Sequence, residues 1–148
     1  MSFEPGSDYP LGSNRPDLVT TPNGTPLDEL TLDALRNGSL AAEELRATPA
    51  TLRRQAAVAR AAGRVPLAEN LERAAELASV PADVILEVYT ALRPRRSSAA
   101  HLSAWAERLE REYGAARAAA FVREAAANYA ERGLLGVEAV EAREREAV

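Results

Sequence analysis

The chain has 148 residues and a formal net charge of −4, with 32 Ala, 18 Arg, no Lys and no Cys. Without Cys there is no disulfide framework, thiolate metal site or cysteine nucleophile, and no stretch nears the 18 uncharged apolar residues of a membrane span. Of the 69 apolar residues nearly half are Ala, so each buried position removes little area from water; a thin core is expected, with part of the stability supplied by a partner chain.

Residues 1–26 contain Pro5, Gly6, Pro10, Gly12, Pro16, Pro22, Gly24 and Pro26. That density excludes a regular helix. The segment reads as an extended Pro/Gly-rich arm whose Tyr9, Leu11, Leu18 and Val19 could anchor on a partner; a disordered lead-in is the plainer alternative. It opens with no basic region followed by an apolar run, so no secretory signal is expected. The only β-like run, Leu18-Val19-Thr20-Thr21, is too short and too Pro-bounded for a sheet.

From Leu27 every segment reads as helix, and 27–136 is predicted to be a small multi-helix, all-α domain. Thr31 caps a short helix that ends at Asn37-Gly38. Thr48-Pro49 opens the next, which stacks Leu52, Ala56, Ala59 and Ala62 on one face and stops at Gly63. Pro66 starts a helix with the stripe Leu67, Leu71, Ala74 and Ala78. Val80-Pro81 starts another, with Val84, Ile85, Val88 and Leu92, which Arg93-Pro94 ends. Ser97 or Ser98 caps a helix striped by Leu102, Trp105, Ala106, Leu109 and Tyr113, broken at Gly114. The last strong helix carries Ala118, Phe121, Val122, Ala125 and Tyr129 and stops at Gly133. These two are expected to form the best-packed hairpin. Residues 137–148 are acidic, poor in large apolar side chains, and expected to fray or stay disordered.

The residues carry little catalytic chemistry. The body, 27–136, has 15 Arg against 15 acids, whereas a nucleic-acid binder needs a cationic surplus along one face. The one histidine, His101, has no second ligand beside it, so a metal site fails. No phosphate loop, dinucleotide fingerprint or nucleophile elbow is present. The carboxylates lie on faces of alternating Glu and Arg, such as Glu107 to Glu112, and a catalytic acid needs an apolar setting instead. Arg93-Pro94-Arg95-Arg96 is the one local excess of positive charge. It reads equally as cations at a helix C-terminus and as a docking patch for an acidic protein surface.

A colinear set of motifs goes further. Tyr-Pro-Leu-Gly at 9–12, Thr-Pro-Asn-Gly at 21–24, Leu-Asp-Glu-Leu-Thr-Leu at 27–32, Ala-Arg-Ala-Ala-Gly-Arg at 59–64 and Leu-Ala-Glu-Asn at 67–70 come in order. Ile-Leu-Glu-Val-Tyr-Thr-Ala-Leu-Arg-Pro at 85–94 follows, then Phe-Val-Arg-Glu-Ala-Ala at 121–126 and Glu-Arg-Gly-Leu-Leu at 131–135. Over roughly 9–135 this order resembles the small (gamma) subunit of adenosylcobalamin-dependent diol/glycerol dehydratases.

The resemblance implies a lyase in which a radical reaction on adenosylcobalamin turns a 1,2-diol into an aldehyde and water. It implies a dimer of heterotrimers whose large (alpha) subunit holds substrate and metal and whose large and medium (beta) subunits hold the cofactor. It implies a non-catalytic small subunit that binds no cofactor or metal itself and supports assembly and stability. A cytoplasmic protein is expected. Some family members carry a longer N-terminal extension for packing into a bacterial microcompartment, and the short stretch before Tyr9 argues against that here. Candidate interface residues are Tyr9 and Leu11 in the arm, with Tyr89, Arg93, Arg95 and Arg96 on the body. The rival reading is a free-standing helical interaction adaptor with no enzyme partner; a small independent enzyme is a further alternative, and it lacks a site.

Overall fold

The computed structural model describes residues 3–136; the acidic segment 137–148 lies outside them. The described chain is all-α, with seven α-helices and no strand beyond one isolated bridge, Thr20–Pro26. No helix is long and apolar enough to cross a membrane among the described residues. The chain divides into two compact units, Met1–Ala78 and Ser79–Val148.

In the first unit the Pro/Gly-rich arm is organised as short turns. Helix α1 (Leu11–Asn14) is a single turn, followed by 3₁₀ turns at Pro16–Leu18 and Leu27–Glu29. Arg15 holds this path together. Its guanidinium donates to both Asp17 carboxylate oxygens, each at 2.9 Å, and to Asp8 at 3.1 Å. The bidentate bond to Asp17 is the first cause that lowers the Asp17 carboxyl below its ordinary range. Leu11 is buried beneath these turns.

Helix α2 (Leu32–Arg36) is capped as predicted, Thr31 Oγ1 accepting from the Ala34 amide at 3.1 Å. Helices α3 (Pro49–Ala61) and α4 (Val65–Leu77) then pack against one another. Thr48 caps α3 through the Thr51 amide, and Pro49 fills the first turn, where a missing N–H costs nothing. The buried face of α3 is Ala56 and Ala59, two of the four stripe positions; Leu52 is half-buried, and Ala62, at the C-cap, is exposed.

The face of α4 differs from its sequence reading. Ala68 and Ala75 are fully buried and Leu71 is partly so, whereas Leu67 is 44% exposed and Ala78 is exposed. Ala56, Ala59 and Ala68 form one cluster with Leu71 packed on its edge. The small Cβ faces meet, and the larger Leu67 is left outside. Close approach of backbones is what gives such a seam its dispersion energy, since little area is available to bury.

The arm is tied to this hairpin. Arg54 Nη1 donates to the Leu18 carbonyl at 2.7 Å. Glu44, in the 3₁₀ turn Ala42–Leu45, accepts from the Thr25 hydroxyl at 3.1 Å and the buried Thr21 hydroxyl at 3.3 Å. Its other oxygen accepts from the Ala41 amide at 3.4 Å. The Thr25 bond leads the causes that pull the Glu44 carboxyl below its usual range, with the Ala41 amide and Thr21 adding to it. The folded carboxyl is thus more acidic than the unfolded one, and the clasp contributes fully above the ordinary Glu pKa of about 4.3 and is lost as pH falls through the lower folded value. We expect Glu44→Ala to lower the melting temperature at neutral pH, with the gap to the parent protein closing as pH falls from about 5 to 3. Paired melts by circular dichroism across that range test this.

In the second unit, α5 (Ala82–Ala91) packs on α6 (Ala99–Tyr113), and α6 forms a hairpin with α7 (Ala116–Glu131). Val84, Val88 and Ala91 are the buried face of α5, and Leu102, Ala106 and Leu109 that of α6. Ala118, Ala119 and Val122 are buried on α7, while Phe121 is 43% exposed. Leu102, Leu109 and Val122 are the largest fully buried side chains among the described residues, all in the α6–α7 hairpin. Gly114 makes the turn between the two helices at φ +63°, a left-handed conformation that closes the α6 C-terminus without a Cβ penalty.

Candidate functional site

The arginine cluster lies in the turn that joins α5 to α6. Pro94 forbids continuation of α5, and the Arg93 amide instead donates to the Thr90 carbonyl at 3.2 Å. The Arg96 amide closes a second turn on the Arg93 carbonyl at 3.1 Å. Between them Arg95 sits at φ +62°, a left-handed conformation rare for a residue with a side chain. Ser98, rather than Ser97, caps α6 by accepting from the His101 amide at 3.2 Å.

The segment after α7 fixes this turn. The Arg95 amide donates to the Leu134 carbonyl at 2.7 Å, and the Gly136 amide donates to the Ser97 carbonyl at 2.8 Å. The Tyr129 hydroxyl donates to the Leu92 carbonyl at 2.6 Å from the end of α7. Two backbone bonds therefore hold Arg95 and Ser97 against the strap 134–136, and a third bond ties Leu92 to the end of α7. Their restraint sustains the left-handed Arg95, which costs roughly 1–3 kcal/mol where nothing enforces it. A Cβ on Gly136 would stand 2.9 Å from Arg96 C and Ser97 N and 3.1 Å from the Arg95 oxygen, all backbone atoms. Gly136→Ala is accordingly expected to destabilise the second unit by about 1–3 kcal/mol, read as a lower urea midpoint by Trp105 fluorescence.

Above the turn is a pocket of about 350 Å³ lined by Leu86, Glu87, Thr90, Arg96, Ser97 and Trp105, with Ala91 and His101 completing it. His101 Nε2 accepts the Trp105 indole N–H at 3.0 Å, and the Arg108 guanidinium lies 5.0 Å from the Trp105 ring centroid, a cation–π arrangement. Leu86 and Tyr89 are exposed on α5. Ser97 is 3% exposed, and its Oγ has no hydrogen-bond partner among the described residues.

The sequence-predicted residues fall in two places. Tyr89, Arg93, Arg95 and Arg96 all lie exposed on α5 and the turn after it. Tyr9 is exposed in the first unit, and Leu11, two residues on, is buried within that unit. Sequence reasoning missed Ser97 as a buried hydroxyl, the Gly136 strap, and Glu44 as the clasp of the arm. Each depends on a partner distant in the chain, which no local pattern reveals.

Asp17 and Glu44 are shifted downward by hydrogen bonds, whereas a general acid needs its carboxyl raised by an apolar setting. No cluster of three or more His, Asp or Glu side chains could hold a metal among the described residues. Adenosylcobalamin does not fit this site either. The pocket is a fraction of the size of a corrin with its nucleotide loop, and His101 already spends Nε2 on Trp105.

Comparison with known proteins gives a consistent result. A family model described as dehydratase small subunit matches residues 5–136. The chain is 52% identical over 126 residues to the propanediol dehydratase small subunit of Salmonella typhimurium, covering 85% of this chain and 73% of that protein. The same identity and coverage hold for the propanediol dehydratase small subunit of Citrobacter freundii.

Proposed function

The chain belongs to the dehydratase small-subunit family, and from that premise we propose that it is the non-catalytic small subunit of an adenosylcobalamin-dependent diol dehydratase of the propanediol/glycerol class. The identity to propanediol dehydratase small subunits, sustained across 126 residues, carries this reading. Its partners are a large and a medium subunit in a dimer of heterotrimers. The cofactor, held by those partners, supplies the radical chemistry that converts a 1,2-diol to an aldehyde and water. The cytoplasm is the proposed location, where a Cys-free chain suits a reducing interior.

This chain's part is assembly and stability. Leu32, Leu45, Val65 and Leu67 in the first unit, and Leu86, Tyr89 and Phe121 in the second, are large apolar side chains left exposed. A free-standing chain gains nothing from them, while a subunit covers such residues. Tyr9, Tyr89, Arg93, Arg95 and Arg96 are the proposed docking residues; Leu11 supports the Tyr9 turn from beneath.

Co-expression with tagged large and medium subunits, followed by affinity capture, is the test. The chain is expected to co-elute in stoichiometric amount and to melt at a higher temperature in the complex than alone. A monodisperse, fully stable free chain that ignores both partners would overturn the proposal.

A further inference from the structure

The chain carries two exposed Asn-Gly pairs, Asn23-Gly24 and Asn37-Gly38, both in the first unit. Glycine has no Cβ, so its backbone nitrogen can come close to the side chain of the asparagine before it. The two pairs stand in different settings. Asn37 closes α2, a helix of five residues. Its Oδ1 accepts from the Ser39 amide at 2.9 Å, which polarises the side-chain carbonyl and folds it back along the chain that follows. The Gly38 amide reaches the Leu35 carbonyl only at 3.4 Å, beyond the ordinary range of about 2.7–3.2 Å. Chain neighbours aside, nothing lies within 4 Å of the place a Gly38 Cβ would take.

At Asn23 the same groups are held. The Gly24 amide donates to the Thr21 carbonyl at 3.0 Å, and the Thr21 amide donates to the Thr25 carbonyl at 2.9 Å. The Thr25 amide donates to Thr21 Oγ1 at 3.0 Å. The Asn23 side chain hydrogen-bonds the Glu44 carboxylate, and a bond to a charged group is stronger than one between neutral groups. We propose that Asn37-Gly38 is a site of spontaneous deamidation, while the Glu44 clasp protects the otherwise identical pair at Asn23-Gly24.

The peptide plane between Asn37 and Gly38 turns, the Gly38 amide leaves Leu35, and its proton passes to solvent base. The Gly38 nitrogen then bonds to Asn37 Cγ, and the side-chain amide nitrogen departs as ammonia. Water opens the resulting cyclic imide at either carbonyl. One product is aspartate in the ordinary backbone; the other is isoaspartate, linked through its side-chain carboxyl, with one extra carbon in the main chain. Overall one water is consumed and one ammonia released, with no oxidant or reductant. The extra carbon falls just ahead of Leu40, which is 4% exposed and whose amide donates to the Ala34 carbonyl at 3.0 Å. The isoaspartyl link therefore shifts the turn that carries Leu40 into the first unit.

The full chain is held at mildly alkaline pH, well below its melting temperature, and digested at intervals. Peptide mass spectrometry gives both conversion rates, with fragmentation that separates isoaspartate from aspartate. Asn37 is expected to convert at least about tenfold faster than Asn23, the scale of one hydrogen bond to a charged group. Glu44→Ala is expected to raise the Asn23 rate several-fold and leave the Asn37 rate unchanged. The isolated isoaspartyl form is expected to melt below the parent chain, whereas Asn37→Asp, with the same charge and an ordinary backbone, melts close to it. Asn23 converting as fast as Asn37 overturns the assignment, and so does an Asn37 that stays intact for as long as the same chain takes to convert in urea. An Asn23 rate indifferent to Glu44→Ala overturns the protection, and an isoaspartyl form that melts with the parent overturns the consequence for Leu40. None of these outcomes bears on the dehydratase reading, which the co-elution experiment decides.

Discussion

Leu102→Ala is expected to destabilise the second unit by about 3–5 kcal/mol, the upper part of the range for emptying a fully buried leucine site. Leu102 has no exposed surface and sits in the α6–α7 hairpin with Leu109 and Val122. Its neighbour one turn along the buried face of α6, Ala106, is small, and the other buried positions of the hairpin include the small Ala118 and Ala119 of α7. Small residues have no flexible side chain to swing into a vacated space, so collapse is poor and the cavity persists. A whole domain is typically stable by only about 5–15 kcal/mol, so the loss consumes much of the total. Urea unfolding followed by Trp105, one turn along the same helix, measures it. Phe121→Ala serves as the contrast. It removes a bigger side chain from a 43% exposed position, and less than about half the Leu102 effect is expected, because burial rather than size sets the cost.

Ala68→Leu is expected to destabilise the first unit by about 1–3 kcal/mol, the usual penalty for overpacking a tight seam. Ala68 is fully buried against Ala56 and Ala59. A leucine there forces α3 and α4 apart and strains Leu71 at the edge. The neighbouring Leu67→Ala, although it deletes three carbons, is expected to cost under about 1 kcal/mol, as surface changes generally do. Far-ultraviolet circular dichroism melts of both variants decide the order. A Leu67→Ala effect larger than that of Ala68→Leu would mean that the α4 stripe read from sequence, and not the alanine seam, faces the core.

These two experiments also separate what the sequence made legible from what it did not. Helix starts were legible because caps are local: Thr31, Thr48 and Ser98 each accept an amide three residues ahead. The stripes of α5 and α6 were legible where apolar size and burial coincide, as at Val84, Val88, Leu102 and Leu109. On α4 they part company. The apolar residues of that helix from Leu67 to Ala75 cover one broad arc, with Ala68 and Ala75 at one edge and Leu67 and Ala74 at the other, and the choice of Ala68 and Ala75 over Leu67 and Ala78 follows from how closely α3 approaches. The arginine turn was legible as a charge excess next to a proline. Its shape was not, because the left-handed Arg95 and the burial of Ser97 depend on Leu134 and Gly136, some forty positions later.

The strap has a consequence for the order in which the protein becomes competent. The turn at 93–97 receives its last two backbone bonds from residues that follow α7. During synthesis, α5 and α6 emerge from the ribosome well before Leu134 and Gly136 do, and until then the arginines sit on an unrestrained turn. The turn is therefore set only after translation has passed Gly136, when the second unit is whole. A truncation ahead of Leu134 would release the arginine turn from both bonds while sparing every residue in it.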